Sequence, residues 1–255
     1  MVKTFIHKIK ETQKPLIGTI ITLDVPEISE ILSSCGFDWL FYDMEHSGLS
    51  IKTIRHCMQA VRGDCSPLIR VPNNDFAWIK LALDAGCEAV IVPQVNSKEE
   101  AEKAVQAAKY PPAGERGVGG SRAHGYGLNF QDYVHSANQD IALIIQIEHK
   151  RGVENLDCIL EVEGLDAIFI GPYDLSASLG VIGEIQNEKV QEQITKIKEK
   201  CKQKSIPVGI FVKAGEEVRK EYEEGCSFII IGSDASFLIS GAKANLKLAH
   251  NNILK

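Results

Sequence analysis

Eight short apolar runs recur along this chain, and the stretches between them are amphipathic. The runs are LIGTIIT (16–22), DWLFYD (38–43), PLIRVP (67–72), EAVIVPQ (88–94), ALIIQIE (142–148), DAIFIGP (166–172), PVGIFV (207–212) and FIIIG (228–232). Each is short, rich in β-branched or aromatic residues and bounded by turn formers, which is how a strand reads. Their apolar character is continuous rather than alternating, as a parallel strand covered on both faces requires. Between them lie segments with helical spacing: PEISEILSSCG, IKTIRHCMQAV, FAWIKLALDAG, KEEAEKAVQAAK, VENLDCILEVEG, NEKVQEQITKIKEKCKQK, EEVRKEYEEG and ASFLISGAKANLKLA. Gly36, Gly86, Gly164 and Gly225 close several of these, as helix C-terminal stops do. Strand followed by helix, eight times over 255 residues, predicts an α/β fold of the (β/α)8 TIM-barrel type. A doubly wound open sheet is the alternative, but no GxGxxG follows the first strand. No linker, low-complexity stretch or longer repeat interrupts the pattern, so residues 1–255 read as one barrel domain.

Composition narrows the function classes. Twenty-eight Lys and Arg stand against 34 Asp and Glu, a net charge of −6, so there is no basic footprint for nucleic acid. Lys196, Lys198, Lys200, Lys202 and Lys204 alternate with other residues and read as a solvated helix face. The seven cysteines are odd in number, form no CxxC and sit mostly in apolar segments, which suits reduced, buried thiols in a cytoplasmic protein. The opening MVKTFIHKIKETQKP has no apolar stretch of the signal-peptide kind, and no run is long enough to span a membrane.

In a parallel barrel the C-terminal strand ends converge on one mouth, where active sites sit. Here those ends carry Asp43, Glu45 and His46; Arg70; Gln94; Gln146, Glu148 and His149; Asp174; and Gly232, Ser233 and Asp234. The opposite ends are plainer, with Asp38, Glu88 and Asp166. That asymmetry points to an enzyme. Glu148 and Asp174 lie at the ends of adjacent strands, and two carboxylates sharing a small volume repel unless a cation joins them or one is protonated. Oxygen ligands without a thiolate suit Mg²⁺ or Mn²⁺, with Co²⁺ and Zn²⁺ as further options. The same acids also fit a salt bridge, or, for Asp174, a helix cap ahead of LSASLG.

Arg70, inside PLIRVP, needs an anion, either a neighbouring acid or a substrate carboxylate. His46 reads as a general base or as a surface histidine, with Asp43 and Glu45 orienting it or holding its turn. Lys213, directly after the seventh run, is placed for Schiff-base chemistry. The long interruption at 110–140 follows the fourth run and is glycine-rich. It is expected at the mouth, as a mobile loop or with Tyr110, Arg116, Arg122, His124 and Tyr126 lining a pocket or an intersubunit contact.

Taken together, DWLFYDMEHSGLS, PLIRVPNND, VPQVNSKEEAEKAVQAAKYPPAGERGVGG, IIQIEHKRGVENLDCI and DAIFIGPYDLSASLG resemble the HpcH/HpaI aldolase and citrate lyase family of metal-dependent 2-oxo-acid aldolases. The resemblance runs from about Gly18 to Gly232. It implies a barrel whose last helix is often exchanged between the partners of a dimer, and assembly into hexamers. It implies that Glu148 and Asp174 hold the divalent metal and that Arg70 binds and polarises the 2-oxo acid. His46 would be the base, and Asp84 in LALDAG its acidic partner from a neighbouring subunit. Gln146 would stand beside the metal, and the backbone at Gly171 and Pro172 would approach the substrate carboxylate. The implied reaction is reversible cleavage of a 4-hydroxy-2-oxo acid to pyruvate and an aldehyde. Competing readings are a Lys213 Schiff-base aldolase, an acyl-CoA ester lyase of the same superfamily, and a non-catalytic barrel module. Two departures bear on substrate choice: Met44 in YDM either narrows the pocket or faces away, and SRAHGYG differs from the sugar-acid enzymes.

Overall fold

The computed structural model describes residues 3–11, 13–213 and 215–253. Helix α1 (Phe5–Glu11) precedes eight strands: β1 (Leu16–Ile21), β2 (Trp39–Asp43), β3 (Ser66–Arg70), β4 (Ala89–Val92), β5 (Ala142–Ile147), β6 (Ala167–Ile170), β7 (Val208–Val212) and β8 (Phe228–Ser233). All neighbours pair in parallel, and β8 returns to β1, so the sheet closes into a barrel and the open-sheet alternative falls away. Helices α2 (Pro26–Ser34), α3 (Ile51–Gln59), α4 (Phe76–Asp84) and α5 (Lys98–Ala108) follow the first four strands in turn. Helix α6 (Phe130–Asp140) leads into β5, and α7 (Lys150–Glu154) and α8 (Leu156–Ile159) leave it. Helices α9 (Pro172–Ser178) and α10 (Glu188–Gln203) follow β6, α11 (Val218–Glu223) follows β7, and α12 (Asp234–Ile253) follows β8.

Strand residues alternate between two cores, because successive side chains point to opposite faces. Leu40, Tyr42, Ile69, Val90, Leu143 and Ile168 belong to the layer packed under the helices. Trp39, Phe41, Leu68, Ile91, Ile144, Phe169 and Phe228 fill the barrel itself. Trp39 and Phe228 are too large for a ring of ordinary side chains, and glycines make room. A Cβ on Gly18 would lie 2.3 Å from the Trp39 indole, and one on Gly209 would lie 2.3 Å from the Phe228 ring. Phe5 of α1 packs on both rings, with centroids 5.6 and 5.5 Å away, and closes the N-terminal end of the barrel. Two positions further along the inward parity stand Asp43, Arg70, Gln146 and Gly171, so the alternation that builds the core also aims these residues into the mouth. Met44 has the opposite parity and is buried in the outer layer, so it faces away from the mouth.

The acids at the plain end are structural. Asp38 accepts the Ile17 amide, Glu88 the Phe5 amide, and Asp166 the Leu143 amide and the Lys109 ammonium. The 110–140 segment corrects the sequence reading twice. It holds a 3-10 turn at Arg122–Gly127 and the whole of α6, so it is not a bare loop. It also does not reach the mouth, because α5 has already carried the chain back toward the strand starts. Arg116 binds Asp84 at the end of α4, and Arg122 donates to the Ala85 carbonyl. The Arg116 guanidinium is buried against the Tyr110 and Tyr133 rings, 4.5 and 5.6 Å from their centroids. His124 is buried, Tyr126 is exposed, and none of the five lines the mouth. Lys198 corrects the solvated-face reading as well: it is buried, with its ammonium between Glu221 and Glu224 at 2.5 and 2.6 Å.

Candidate active site

A cavity of about 600 Å³ opens at the C-terminal strand ends, lined by residues that include Asp43, His46, Arg70, Gln146, Gly171, Pro172, Asp174 and Lys213. Its floor is the top of the barrel core, Ile20, Phe41, Phe169, Phe211 and Ile230. Most of the strand-end residues singled out from sequence therefore meet in one place.

Arg70 donates from Nε and Nη2 to the two oxygens of Asp43 at 3.0 and 2.8 Å, and its Nη1 lies 3.0 Å from Glu45 Oε2. The anion this guanidinium holds is thus a neighbouring acid, the first of the two options the sequence left open. Asp43 Oδ1 also accepts the amides of Glu45 and His46 at 2.9 and 3.3 Å, so one carboxylate both holds the turn and fixes the arginine plane. Burial alone would raise the Asp43 carboxyl, but the hydrogen bonds and charge of Arg70 outweigh it and hold the group below the usual range. Glu45 responds in the opposite sense: burial pushes it up to about 7, with the charges of Asp43 and Asp174 adding to the rise and Arg70 opposing it. His46 is exposed at the rim, with Nε2 3.7 Å from Glu45 Oε2.

Glu148 is buried on the other side of the mouth. Its Oε1 accepts the Gln94 amide at 2.8 Å and its Oε2 accepts Gln146 Nε2. Gln94 reaches this geometry with φ +59°, a left-handed conformation that a non-glycine residue adopts only at a cost of order 1–3 kcal/mol. Gly171 packs so closely that a Cβ there would stand 2.8 Å from Glu148 Cβ and 2.9 Å from its Oε2. Burial raises Glu148 to about 7, and the charges of Glu45 and Asp174 add to the rise. Asp174 lies in the first turn of α9, where Gly171 is the cap residue, so Asp174 is not the helix cap considered above.

These residues fit a hard divalent cation. Three carboxylates crowd one half-dry space and raise one another's protonation, and neither Glu148 nor Asp174 has an ion pair among the described residues. Gln146 Oε1 is buried without a partner beside them. No group of three or more His, Cys, Asp or Glu at metal-binding spacing occurs among the described residues, so Glu148 and Asp174 would leave most coordination positions open.

Other strand-end residues have structural duties. Asp234 accepts the Thr22 and Leu23 amides and the Thr22 hydroxyl, each at 2.8 Å, and ties β8 to the end of β1. His149 caps α7 through the Arg151 amide. Asp84 does not line the cavity and is paired with Arg116 within this chain at 2.9 Å. Sequence reading missed the backbone role of Gln94, whose signal is a φ value, and the Thr22, Tyr173 and Ser236 lining, which lies beyond the apolar runs or in the short α9.

Comparison with known proteins fits this geometry. The profile of the family described as HpcH/HpaI aldolase/citrate lyase matches residues 17–241. A hydroxypyruvate/pyruvate aldolase from Roseobacter denitrificans is 37% identical over 232 residues, covering 90% of each chain. A 5-keto-4-deoxy-D-glucarate aldolase from Escherichia coli is 39% identical over 229 residues, covering 89% of each. The crystal structure of an HpcH/HpaI aldolase/citrate lyase family protein from Burkholderia cenocepacia superposes with a TM-score of 0.91 at 31% identity, over 96% of this chain and 98% of that one.

Proposed function

The chain belongs to the HpcH/HpaI aldolase/citrate lyase family and is a carbon–carbon lyase of the aldolase type, and from that premise we propose that it is a divalent-metal-dependent aldolase that cleaves 4-hydroxy-2-oxo acids reversibly to pyruvate and an aldehyde. The observation that carries the metal requirement is the Glu148 carboxylate, oriented by the Gln94 amide and Gln146, raised to about 7 and crowded by Glu45 and Asp174 without a cationic side chain of its own. Glu148 and Asp174 are the proposed ligands of Mg²⁺ or Mn²⁺, with Co²⁺ and Zn²⁺ as alternatives. Such an ion, when bound, supplies Lewis-acid stabilisation of negative charge on the 2-oxo oxygen.

The chain's own groups do the rest. His46, free at the rim, takes the proton of the C4 hydroxyl, and Glu45 nearby steadies the imidazolium that results. The C3–C4 bond breaks, its electrons pass toward the 2-oxo oxygen, and the C4 carbon leaves as the aldehyde. Arg70 has N–H groups to spare after holding Asp43 and Glu45, and these meet the developing enolate charge in a fixed plane. Gly171 and Pro172, bare of bulk at the wall, let the substrate carboxylate approach. Asp84, held by Arg116, is the proposed acidic partner of His46 across a subunit interface.

The same reading takes residues 1–255 as one domain acting in the cytoplasm as a dimer-based homo-oligomer, a hexamer included. Supporting observations are the exposed apolar face of α12, with Leu238, Ile239, Leu246 and Leu248, and seven free cysteines of which five are buried. No described helix is long and apolar enough to cross a membrane. A Lys213 Schiff base is the second reading, favoured by the presence of that lysine in the cavity, but it leaves the Glu148 and Asp174 carboxylates without a role. Incubation of pyruvate with a panel of aldehydes, read by product mass, tests the proposal: activity lost in EDTA and restored by Mg²⁺ or Mn²⁺ supports it, while metal-independent turnover with borohydride trapping at Lys213 refutes it.

A further inference from the structure

The cavity has two ends of different chemistry. Asp43, Arg70, Gln146, Gly171 and Asp174 occupy one, and Lys213, Thr22, Ser233 and Ser236 occupy the other, with the aromatic floor between them. The two cationic groups of arginine and lysine in this space are in different states. Arg70 is spent on Asp43 and Glu45, whereas Lys213 has no ion pair among the described residues and lies over the Tyr173 ring, 5.6 Å from its centroid. Tyr173 is in turn packed on Phe211, at 5.9 Å between centroids, so the platform under the ammonium is braced.

The hydroxyls beside it are set in one direction. Ser236 Oγ donates to the Ser233 carbonyl, and Ser233 Oγ accepts the Ser236 amide. Thr22 Oγ1 donates to Asp234. Ser233 therefore keeps its own hydroxyl proton unspent, at the point where β8 hands over to α12. Register brings Lys213 alongside, since Val212 pairs with Ile231 and the next positions are Lys213 and Gly232. Asp234, the acid nearest in sequence, is buried and its oxygens are taken by β1 amides. A free ammonium and a free hydroxyl proton thus face one space with no anion supplied by the described residues. The ends of the seventh and eighth strands are also where barrels of this type commonly hold an anionic group.

We propose that Lys213 and Ser233 form the acceptor end of the site and select an aldehyde that carries an anionic group, a carboxylate or a phosphate, distal to its carbonyl. This rests on the aldolase reading, because it assigns the pyruvate moiety to the Arg70 end. Lys213 acts here as a charge that binds substrate, not as a nucleophile.

The test compares matched acceptors with pyruvate: glyceraldehyde against glyceraldehyde 3-phosphate, and butyraldehyde against succinic semialdehyde. In the wild-type chain kcat/KM is expected to favour the charged member of at least one pair, and which pair distinguishes phosphate from carboxylate. Lys213→Met is expected to lower that charged-to-neutral ratio by about tenfold or more, and Lys213→Arg to retain it within about threefold. Equal ratios in the wild type and Lys213→Met, or no preference in the wild type, overturn the proposal. If no aldehyde is turned over, the aldolase reading fails by itself. Calorimetric titration with inorganic phosphate and with propionate then decides the anion site: binding lost in Lys213→Met upholds it, and binding equal in both chains, or absent from both, removes it.

Discussion

Asp43 and Arg70 are register partners across β2 and β3, and their side chains meet above the barrel core in two parallel hydrogen bonds of 3.0 and 2.8 Å. Both are buried, so removal of one leaves the other as an uncompensated charge. Asp43→Ala is expected to cost about 3–5 kcal/mol of stability, read by urea unfolding. Arg70→Ala is expected to raise the pyruvate requirement and to slow turnover together. Unchanged kinetics in Arg70→Ala would remove the guanidinium from the site.

His46 separates two reactions. Cleavage of a 4-hydroxy-2-oxo acid needs a base at the C4 hydroxyl, whereas decarboxylation of oxaloacetate does not. His46→Ala is expected to slow cleavage by about 100-fold or more while slowing decarboxylation much less. Equal losses would mean that the rim histidine serves the turn and not the proton.

Gly171 has an ordinary negative φ, so alanine there is not strained by its backbone. The added Cβ would instead press on Glu148 at 2.8 Å and on Gln146 Nε2 at 3.1 Å. Gly171→Ala is expected to weaken Mn²⁺ affinity by about 10–100-fold, the scale seen when groups that orient a metal ligand are disturbed, and to change thermal stability far less. Titration of Mn²⁺ by electron paramagnetic resonance reads the first, and calorimetry the second.

Glu45 and Glu148 both titrate near 7 in the folded chain against a reference of 4.5. Over that window the folded state holds more protons than the unfolded state, so these groups favour folding at low pH and lose that contribution as pH rises toward 7 and above. Metal-stripped protein is therefore expected to lose thermal stability between about pH 5 and pH 8, and Mg²⁺ to restore most of it at pH 8. Glu148→Gln should flatten the metal-free slope. A slope unchanged in that variant would place its origin elsewhere.

Much of the barrel was legible because each strand is a continuous apolar run, and a strand buried on both faces has no other composition available to it. Asp43, Arg70, Gln146 and Asp174 were legible for a related reason: polar residues at one end of such runs have few uses except chemistry. The remainder depended on distance along the chain. The contact of Arg70 with Asp43 joins positions 27 apart, and sequence alone left its anion open. The 110–140 segment was misplaced because glycines suggested a mouth loop, while α5 had already reversed the chain direction. Helix α6 was missed since FQDYVHSANQD has little apolar periodicity and buries only Ala137 among its side chains. The left-handed Gln94 left no compositional trace at all.

The relation of Glu148 to Asp174 is the point on which the chemistry turns, and a crystal soaked in Mn²⁺ and pyruvate measures it directly. An anomalous manganese peak within ligand distance of both carboxylates, with the pyruvate oxo and carboxylate oxygens completing the coordination beside Arg70, is the expected outcome. Clear density for pyruvate with the two carboxylates turned apart and no manganese between them would refute the proposed metal site.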